Sequence, residues 1–376
     1  MQPVNDHPSV LSKLAKTNHI HLQRLSIFSS PAFTPQDVHF ARFTAVVGSH
    51  GSGKSYLLKI LEESLPKYGG EHMRFPPASR SRWKDADRAD VGAVAGTHSI
   101  NMGSGWTPQN FRVDLRRPRA ESFIFGESDG ELRVTVPLSA HRAFADYEMW
   151  MQDVEAPDHA RHFEGSWAAD RPTLTSINRI LGREYGSVEF FAFKSDSYDA
   201  PYLEATMSDG HVRTPYEMSS GELWVLYCIW ELERSAASDI VLIDEPESYL
   251  SPRGHVAFLD EIARRTLAGG FQTIIATLSE AMIRRLPIDL LRFAVRGANG
   301  VVIRDDVSHD EVMVAAIAHT EGMVHQRVFL EIAEYLGLDH AFVRRTLIAS
   351  WLNGVDVREQ AREMVSGMEK AVVQLL

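Results

Sequence analysis

The chain has a single cysteine in 376 residues, Cys228, set in an apolar run. That excludes an intrachain disulfide framework and any zinc site of the usual cysteine spacing. Cys228 reads as a small buried hydrophobe, and so little cysteine fits a reducing compartment. Long hydrophobic runs are missing too. The longest, 223–230, is broken at Glu231 and falls far short of a membrane span. The opening Met-Gln-Pro-Val-Asn-Asp-His has neither a basic start nor an apolar h-region. A soluble, cytoplasmic protein with no membrane contact is expected. Positive charge is in deficit, with a formal net charge of −11. Bulk attraction to nucleic acid is thereby excluded, and only local clusters could serve. Three exist: Arg80, Arg82 and Lys84; Arg112, Arg116, Arg117 and Arg119; Arg284 and Arg285. Each reads first as solvated surface, and nucleic-acid binding would need several to converge on one face. There are no internal repeats, and no sustained heptads that would make a long coiled-coil arm.

What is present is a globular composition, 44% hydrophobic and 24% charged, in a chain long enough for one large domain or two ordinary ones. Three textures separate along it. Residues 1–65 alternate like strands, then meet a glycine loop and a helical run; 187–305 return to strand–helix alternation. Between them, 66–186 are irregular and read as an inserted β/helical lobe, with a hairpin signal at Asp129-Gly130. The tail, 306–376, reads as amphipathic helices. A short, fully apolar strand at 240–243 is of the kind buried on both faces of a parallel sheet, and 272–277 reads as a similar strand. A helix between them is bounded by Ser251-Pro252 and Gly269-Gly270, with proline just inside its start and glycine just past its end.

The glycine loop is Gly48-Ser49-His50-Gly51-Ser52-Gly53-Lys54-Ser55. Gly-x4-Gly-Lys-Ser between an apolar strand and a helix is the P-loop pattern, whose backbone N–H groups cradle phosphates. Lys54 adds a charge for the β- and γ-phosphates, and Ser55 offers a hydroxyl to Mg²⁺. The helix that follows, through Tyr56, aims its positive end at the same anion. ATP and Mg²⁺ are the expected ligands. A glycine turn that binds nothing is the bland alternative.

Ile240-Val241-Leu242-Ile243-Asp244-Glu245 then delivers two acids at the end of an apolar strand, where ligands bind in open α/β sheets. Asp244 suits Mg²⁺ as a Walker-B aspartate. Glu245, one residue on, is the candidate to polarise the attacking water. A third element, Met218-Ser219-Ser220-Gly221-Glu222, has a capping-box spacing from Ser219 to Glu222, so a helix starts there. It is an ordinary N-cap, or else a second anion site of hydroxyls, a glycine and a helix N-terminus.

Met-Ser-Ser-Gly-Glu resembles the ABC signature, in the form found in SMC-like, RecF-like and OLD-like ATPases. Asp244-Glu245-Pro246-Glu247-Ser248-Tyr249-Leu250-Ser251-Pro252 is similar to their Asp-Glu-Pro-Glu-x-x-Leu-His-Pro segment, and 20–55 to their opening strands and P-loop. The resemblance covers about half the chain and omits the lobe and tail. It implies an α/β P-loop NTPase of ABC type, a head with a mixed β-sheet, an inserted lobe and a helical C-terminal extension. It also implies a homodimer or higher homo-oligomer in which Ser219, Ser220, Gly221 and Glu222 of one copy close over ATP held by Lys54 of the other. Ser248 and Ser251 would then lie in a D-loop at the interface.

Two positions depart from that pattern. The family's switch segment is usually Thr-His-Ser, whereas this chain has Thr277-Leu278-Ser279, and leucine cannot hydrogen-bond a γ-phosphate. His255 and His50 are available, but nothing in the sequence puts them there; His50 itself replaces an asparagine often seen in the loop. For the Q-loop glutamine, Gln109 is the candidate, with an ordinary polar loop residue as the alternative. A fused Toprim nuclease is not expected: His319-Thr320-Glu321-Gly322 is a faint match, and 338–376 hold no Asp-x-Asp. The expected function is an ATPase that dimerises around ATP and regulates a separate effector. A nuclease or toxin is the natural candidate, by analogy with retron- and Septu-type anti-phage pairs. The alternatives are a DNA-repair or chromosome-associated ATPase, and a slow-turnover nucleotide sensor or scaffold.

Overall fold

A computed structural model of the chain describes residues 10–11, 13–14, 22–65, 93–101, 106–114, 123–125, 135–153, 163–193, 201–297, 299–309 and 312. Residues 1–307 form one unit and 308–376 another. The helices expected in the tail, the hairpin at Asp129-Gly130 and the faint Toprim string lie outside the described residues.

The first unit opens with strands β1 (Leu22–Ser29), β2 (Gln36–His39) and β3 (Phe43–Val47), then helix α1 (Lys54–Ser64). Next come β4 (Ala93–Asn101), β5 (Trp106–Asp114), β6 (Phe123–Phe125), β7 (Thr135–Ser139), α2 (Ala140–Asp153), β8 (Phe163–Ala168) and α3 (Arg171–Leu181). The remainder is β9 (Tyr185–Phe193), β10 (Tyr202–Met207), β11 (Val212–Arg213), α4 (Ser220–Arg234), β12 (Ile240–Asp244), α5 (Pro252–Gly269), β13 (Gln272–Thr277), α6 (Glu280–Arg285), β14 (Leu291–Gly297) and β15 (Gly300–Arg304).

A six-stranded sheet runs in the order β15-β14-β3-β13-β12-β7. Its strands from β14 to β7 are mutually parallel, and β15 returns antiparallel at the edge. This mixed sheet is the one expected. Every residue of β3 and β13 is buried, because both strands carry apolar side chains on both faces. An antiparallel sheet, β2-β1-β4-β5-β6, shares a core with it. Leu57, Leu58, Ile60 and Leu61 of α1 pack in that core with Leu25, Ile27, Val94 and Phe111 of one sheet and Val46, Leu242 and Ile274 of the other. A second antiparallel sheet, β11-β10-β9-β8, precedes α4. Helix α4 is buried almost all round, which its continuous apolar run 223–230 requires.

The inserted lobe needs redrawing. Strands β4, β5 and β6 continue the sheet begun by β1, and β7 is the edge strand of the central sheet, beside β12. Residues 93–139, separated from the head by texture, therefore supply strands to both of its sheets. Irregular composition signalled a change of layer there, and the pairing of β7 with a strand a hundred residues later has no local signature.

Candidate nucleotide site

The ends of four parallel strands fall in one row. The register pairs Ser139 with Asp244, Asp244 with Ala276, and Thr277 with Val47. The row is the C-terminal edge of the sheet, where open α/β sheets bind ligands.

The loop after β3 wraps as its glycines allow. Gly48 has φ +149°, and a Cβ there would lie 2.4 Å from the carbonyl oxygen of Ala294. Gly53 has φ +100° immediately before α1. Any other residue is disfavoured at both positions. Lys54 is buried, and its Nζ donates to the carbonyls of Gly48 (3.1 Å) and Ser49 (3.0 Å). Burial lowers its pKa, while Glu245, Asp244 and Glu247 nearby oppose that. Ser55 Oγ is exposed and donates to Asp244 Oδ1 at 3.0 Å. Within the loop, Ser52 Oγ is buried without a hydrogen-bond partner. His50 and Gly51 are exposed at the tip, and Arg296 of β14 donates to the Gly51 carbonyl at 2.6 Å.

The Ser55–Asp244 pair fits a Mg²⁺ ion. A hydroxyl and a carboxylate already lie at the separation of two neighbouring oxygen ligands, and both are hard donors. Among the described residues no cluster of three His, Cys, Asp or Glu side chains could hold a metal. The remaining ligands would have to come from phosphate oxygens and water, as in sites that bind the metal with its nucleotide. Burial pushes the Asp244 carboxyl up to about 6, with Glu245 and Glu247 adding to it against Ser55 and Lys54. The sign follows. The fold holds a proton on Asp244 more tightly than the unfolded chain does, so ionised Asp244 costs stability increasingly as pH rises from about 4 towards 6. Asp244→Asn is therefore expected to raise the melting temperature of the nucleotide-free protein at pH 7.5 and to remove its Mg²⁺-dependent stabilisation by ATP. Thermal melts with and without Mg–ATP measure both; a lower nucleotide-free Tm would overturn the pKa assignment.

The turn after β12 is strained. Glu245 (φ +49°) and Tyr249 (φ +62°) are the two non-glycine residues with positive φ among those described. Such conformations persist where the surroundings over-determine them. Here the Glu245 amide donates to the Ala276 carbonyl at 2.9 Å, and the Ser248 amide to the Glu245 carbonyl at 2.9 Å. Ser248 Oγ also approaches Glu245 Oε2 at 3.4 Å. Ser251 caps α5, with its carbonyl accepting from the Gly254 amide.

The signature element forms the capping box its spacing predicts. Ser219 Oγ accepts from the Glu222 amide, and Glu222 Oε2 accepts from the Ser219 amide at 2.8 Å. The other Glu222 oxygen accepts from Tyr185 Oη and faces Arg213 Nη1 at 3.1 Å. Burial raises the Glu222 pKa, but Ser219, Tyr185 and Arg213 together bring it below the usual value. Glu222 is thus occupied inside the fold, while Ser219 and Ser220 are exposed. Gly221 abuts the turn after β12: a Cβ there would lie 2.6 Å from the Tyr249 carbonyl oxygen. Trp224 Nε1 donates to the Pro246 carbonyl at 3.0 Å and ties α4 to the same turn.

Gln109 does not occupy a loop. It lies within β5, opposite His98 of β4, because Trp106–Asp114 pairs continuously with β4. The segment that does border the Ser55–Asp244 pair is the β7–α2 junction. Ser139 and Arg142 line a cavity of about 180 Å³ together with Ser55, Asp244 and Glu62. Ser139 Oγ accepts from the Arg142 amide, and Arg142 reaches Glu62 at 3.7 Å. Sequence reading missed them because the short strand Thr135–Ser139 was hidden in an irregular region. Of the basic clusters, Arg284 pairs with Glu280 and Arg285 with Asp260; Arg112 is exposed on β5, and the others lie outside the described residues. Among the described residues no helix is long and apolar enough to cross a membrane.

The mixed sheet, the glycine loop ahead of α1 and the Ser55–Asp244 pair together make a P-loop NTPase fold. Residues 110–279 match the family model described as AAA domain, putative AbiEii toxin, Type IV TA system; the matched stretch takes in the signature, Asp244, Glu245 and the switch segment. No curated protein matches the chain. Among solved structures it is similar to the SMC head domain from Thermotoga maritima, with 13% identity over 76% of this chain and 98% of that one and a TM-score of 0.42. An SmcHead bound to the C-winged helix domain of ScpA matches at 15% identity, over 76% of this chain and 98% of that one, with a TM-score of 0.47. The Smc head domain with an extended coiled coil bound to the C-terminal domain of ScpA, from Pyrococcus furiosus, matches at 12% identity over 76% and 96%, with a TM-score of 0.46.

Proposed function

We propose that the chain binds Mg–ATP at the loop 48–55, dimerises around it and hydrolyses it, and that this cycle governs a separate effector protein. The observation that carries the reading is the Ser55–Asp244 contact at 3.0 Å beside buried Lys54. In this reading the loop amides and Lys54 bind the phosphates, with Tyr56 in the first turn of α1 behind them. Ser55 and Asp244 would hold Mg²⁺, which would supply positive charge against the phosphates. Glu245 takes a proton from the attacking water.

Ser219, Ser220 and Gly221 serve the nucleotide of a second copy, with Ser248 and Ser251 at the same interface. The exposure of Ser219 and Ser220 beside a buried, fully engaged Glu222 supports this division of labour. Ser220→Asp tests it without disturbing the close packing at Gly221. The variant is expected to bind ATP normally and to lose ATP-dependent dimerisation in size-exclusion chromatography, because a carboxylate would face the partner's γ-phosphate. Gly221→Asp should do the same, with the added displacement of Tyr249. Unchanged dimerisation of Ser220→Asp would rule out the composite site.

The effector reading is supported by the matching family description, which names a toxin of a toxin–antitoxin system. A nuclease or toxin under control of this head, in anti-phage defence in the cytoplasm, is the setting we infer. Purification of the native complex tests it, with recovery of the head alone counting against a stable effector. A slow-turnover sensor is the second reading, favoured by Leu278 in the switch segment.

A further inference from the structure

The switch segment lacks the histidine of the Thr-His-Ser pattern, but a histidine from another element reaches it. His255 projects from the first turns of α5 and lies between two loops. Its Nδ1 is 2.9 Å from Ser279 Oγ, and its Nε2 is 3.3 Å from the carbonyl oxygen of Leu250. We propose that His255 is a positioning residue that couples the D-loop, 248–251, to the switch segment, 277–279, so that displacement of either is transmitted to the other.

Hydrogen-bond chemistry fixes the direction of the chain. The Leu250 carbonyl can only accept, so Nε2 carries the proton and donates. In the neutral ring Nδ1 is then an acceptor, and the Ser279 hydroxyl donates to it. Ser279 Oγ keeps a lone pair for the Met282 amide, 3.3 Å away, as the N-cap of α6. The Leu250 carbonyl, both ring nitrogens and the Ser279 hydroxyl each have a partner in this single arrangement.

A second connection holds the same two segments. Glu247 Oε1 accepts from Thr277 Oγ1 (2.8 Å), the Leu278 amide (2.6 Å) and the Ser279 amide (3.0 Å). The Glu247 carbonyl in turn accepts from the Leu250 amide at 3.1 Å. Glu247 thus grips the switch backbone, and His255 closes the circuit through the side chain of Ser279. The imidazole links Ser279 Oγ to the Leu250 carbonyl of the D-loop backbone. Tyr249 stands at the crest of that D-loop, exposed and at positive φ, where contact with a second copy would act on it.

The coupling itself is a property of the nucleotide-free fold; its bearing on turnover rests on the proposed nucleotide site. Amide hydrogen exchange on the full nucleotide-free chain therefore tests it first, with Ser279→Ala, His255→Ala, the double variant and His255→Gln. Loss of one neutral hydrogen bond corresponds to roughly a two- to tenfold change in local opening. Ser279→Ala is expected to speed exchange by that factor in peptides covering 247–252, far from the cap it removes. His255→Ala should do the same, the double variant no more than either single one, and His255→Gln, which keeps one donor and one acceptor, should recover part of the protection. D-loop exchange unchanged in Ser279→Ala, or effects that multiply in the double variant, would overturn the coupling. With ATP, His255→Ala is expected to lower kcat by a similar factor at unchanged KM, and a wild-type kcat would overturn the link to turnover. Failure of the wild-type chain to bind ATP would instead count against the nucleotide site, and the exchange measurement would still decide the coupling.

Discussion

Glu245→Gln is expected to cut steady-state phosphate release by at least about a hundredfold and to accumulate an ATP-bound dimer. A positioned general base contributes roughly 10²- to 10⁴-fold, and the glutamine amide cannot take the water's proton. Glutamine is nearly the same size, so the strained backbone at φ +49° and the hydrogen bond from the residue 245 amide to the Ala276 carbonyl are retained. Binding should therefore survive while turnover does not. Phosphate release and size-exclusion chromatography with ATP measure the two halves of the expectation. A release rate equal to that of the wild type would remove Glu245 from the chemistry and leave the sensor reading in possession.

Lys54→Ala is expected to weaken ATP binding by about two orders of magnitude and to abolish its thermal stabilisation of the protein. A hydrogen bond to a charged partner contributes about 1.5–3 kcal/mol, and 3 kcal/mol is roughly a hundredfold in Kd. The local balance makes the loss worse. Lys54 is the cation set among Asp244, Glu245 and Glu247, and without it an incoming triphosphate meets those carboxylates uncompensated. Isothermal titration measures the change. Retained tight binding of ATP would falsify the assignment of 48–55 as the phosphate loop. Arginine is a poor control at this buried position, because its planar fork does not replace a compact ammonium.

The two variants separate binding from hydrolysis, the question left by Leu278. The switch leucine offers only its backbone, and its amide is already held by Glu247. The segment is thus held by Glu247 and His255 together with its own Thr277 and Ser279 side chains, and not by the side chain at 278. Slow turnover with tight binding would fit that geometry. So would regulation of turnover through the D-loop, which His255 ties to the same segment.

Several features were legible from short strings because their geometry is local. Glycine spacing and a preceding apolar strand specify the phosphate loop, since only that backbone can wrap where Gly48 and Gly53 sit. The box from Ser219 to Glu222 is three residues long and formed as read. The apolar runs 240–243 and 274–276 mark strands central in a sheet. Gln109 was misplaced for the opposite reason: a polar residue beside proline looks like a loop, and only the continuous pairing of β5 with β4 shows a strand.

The sequence by itself determined the glycine loop, the two acids at the end of β12 and the capped start of α4. Tertiary structure alone decided what stands around them. It set β7 beside β12, which brings Ser139 and Arg142 to the cavity beside Ser55 and Asp244. It aimed Glu247 at the switch backbone and His255 at Ser279. These contacts join residues from 24 to more than a hundred positions apart, through parallel strand pairing and helix packing. Periodicity reports which face of an element is buried, but not which neighbour buries it.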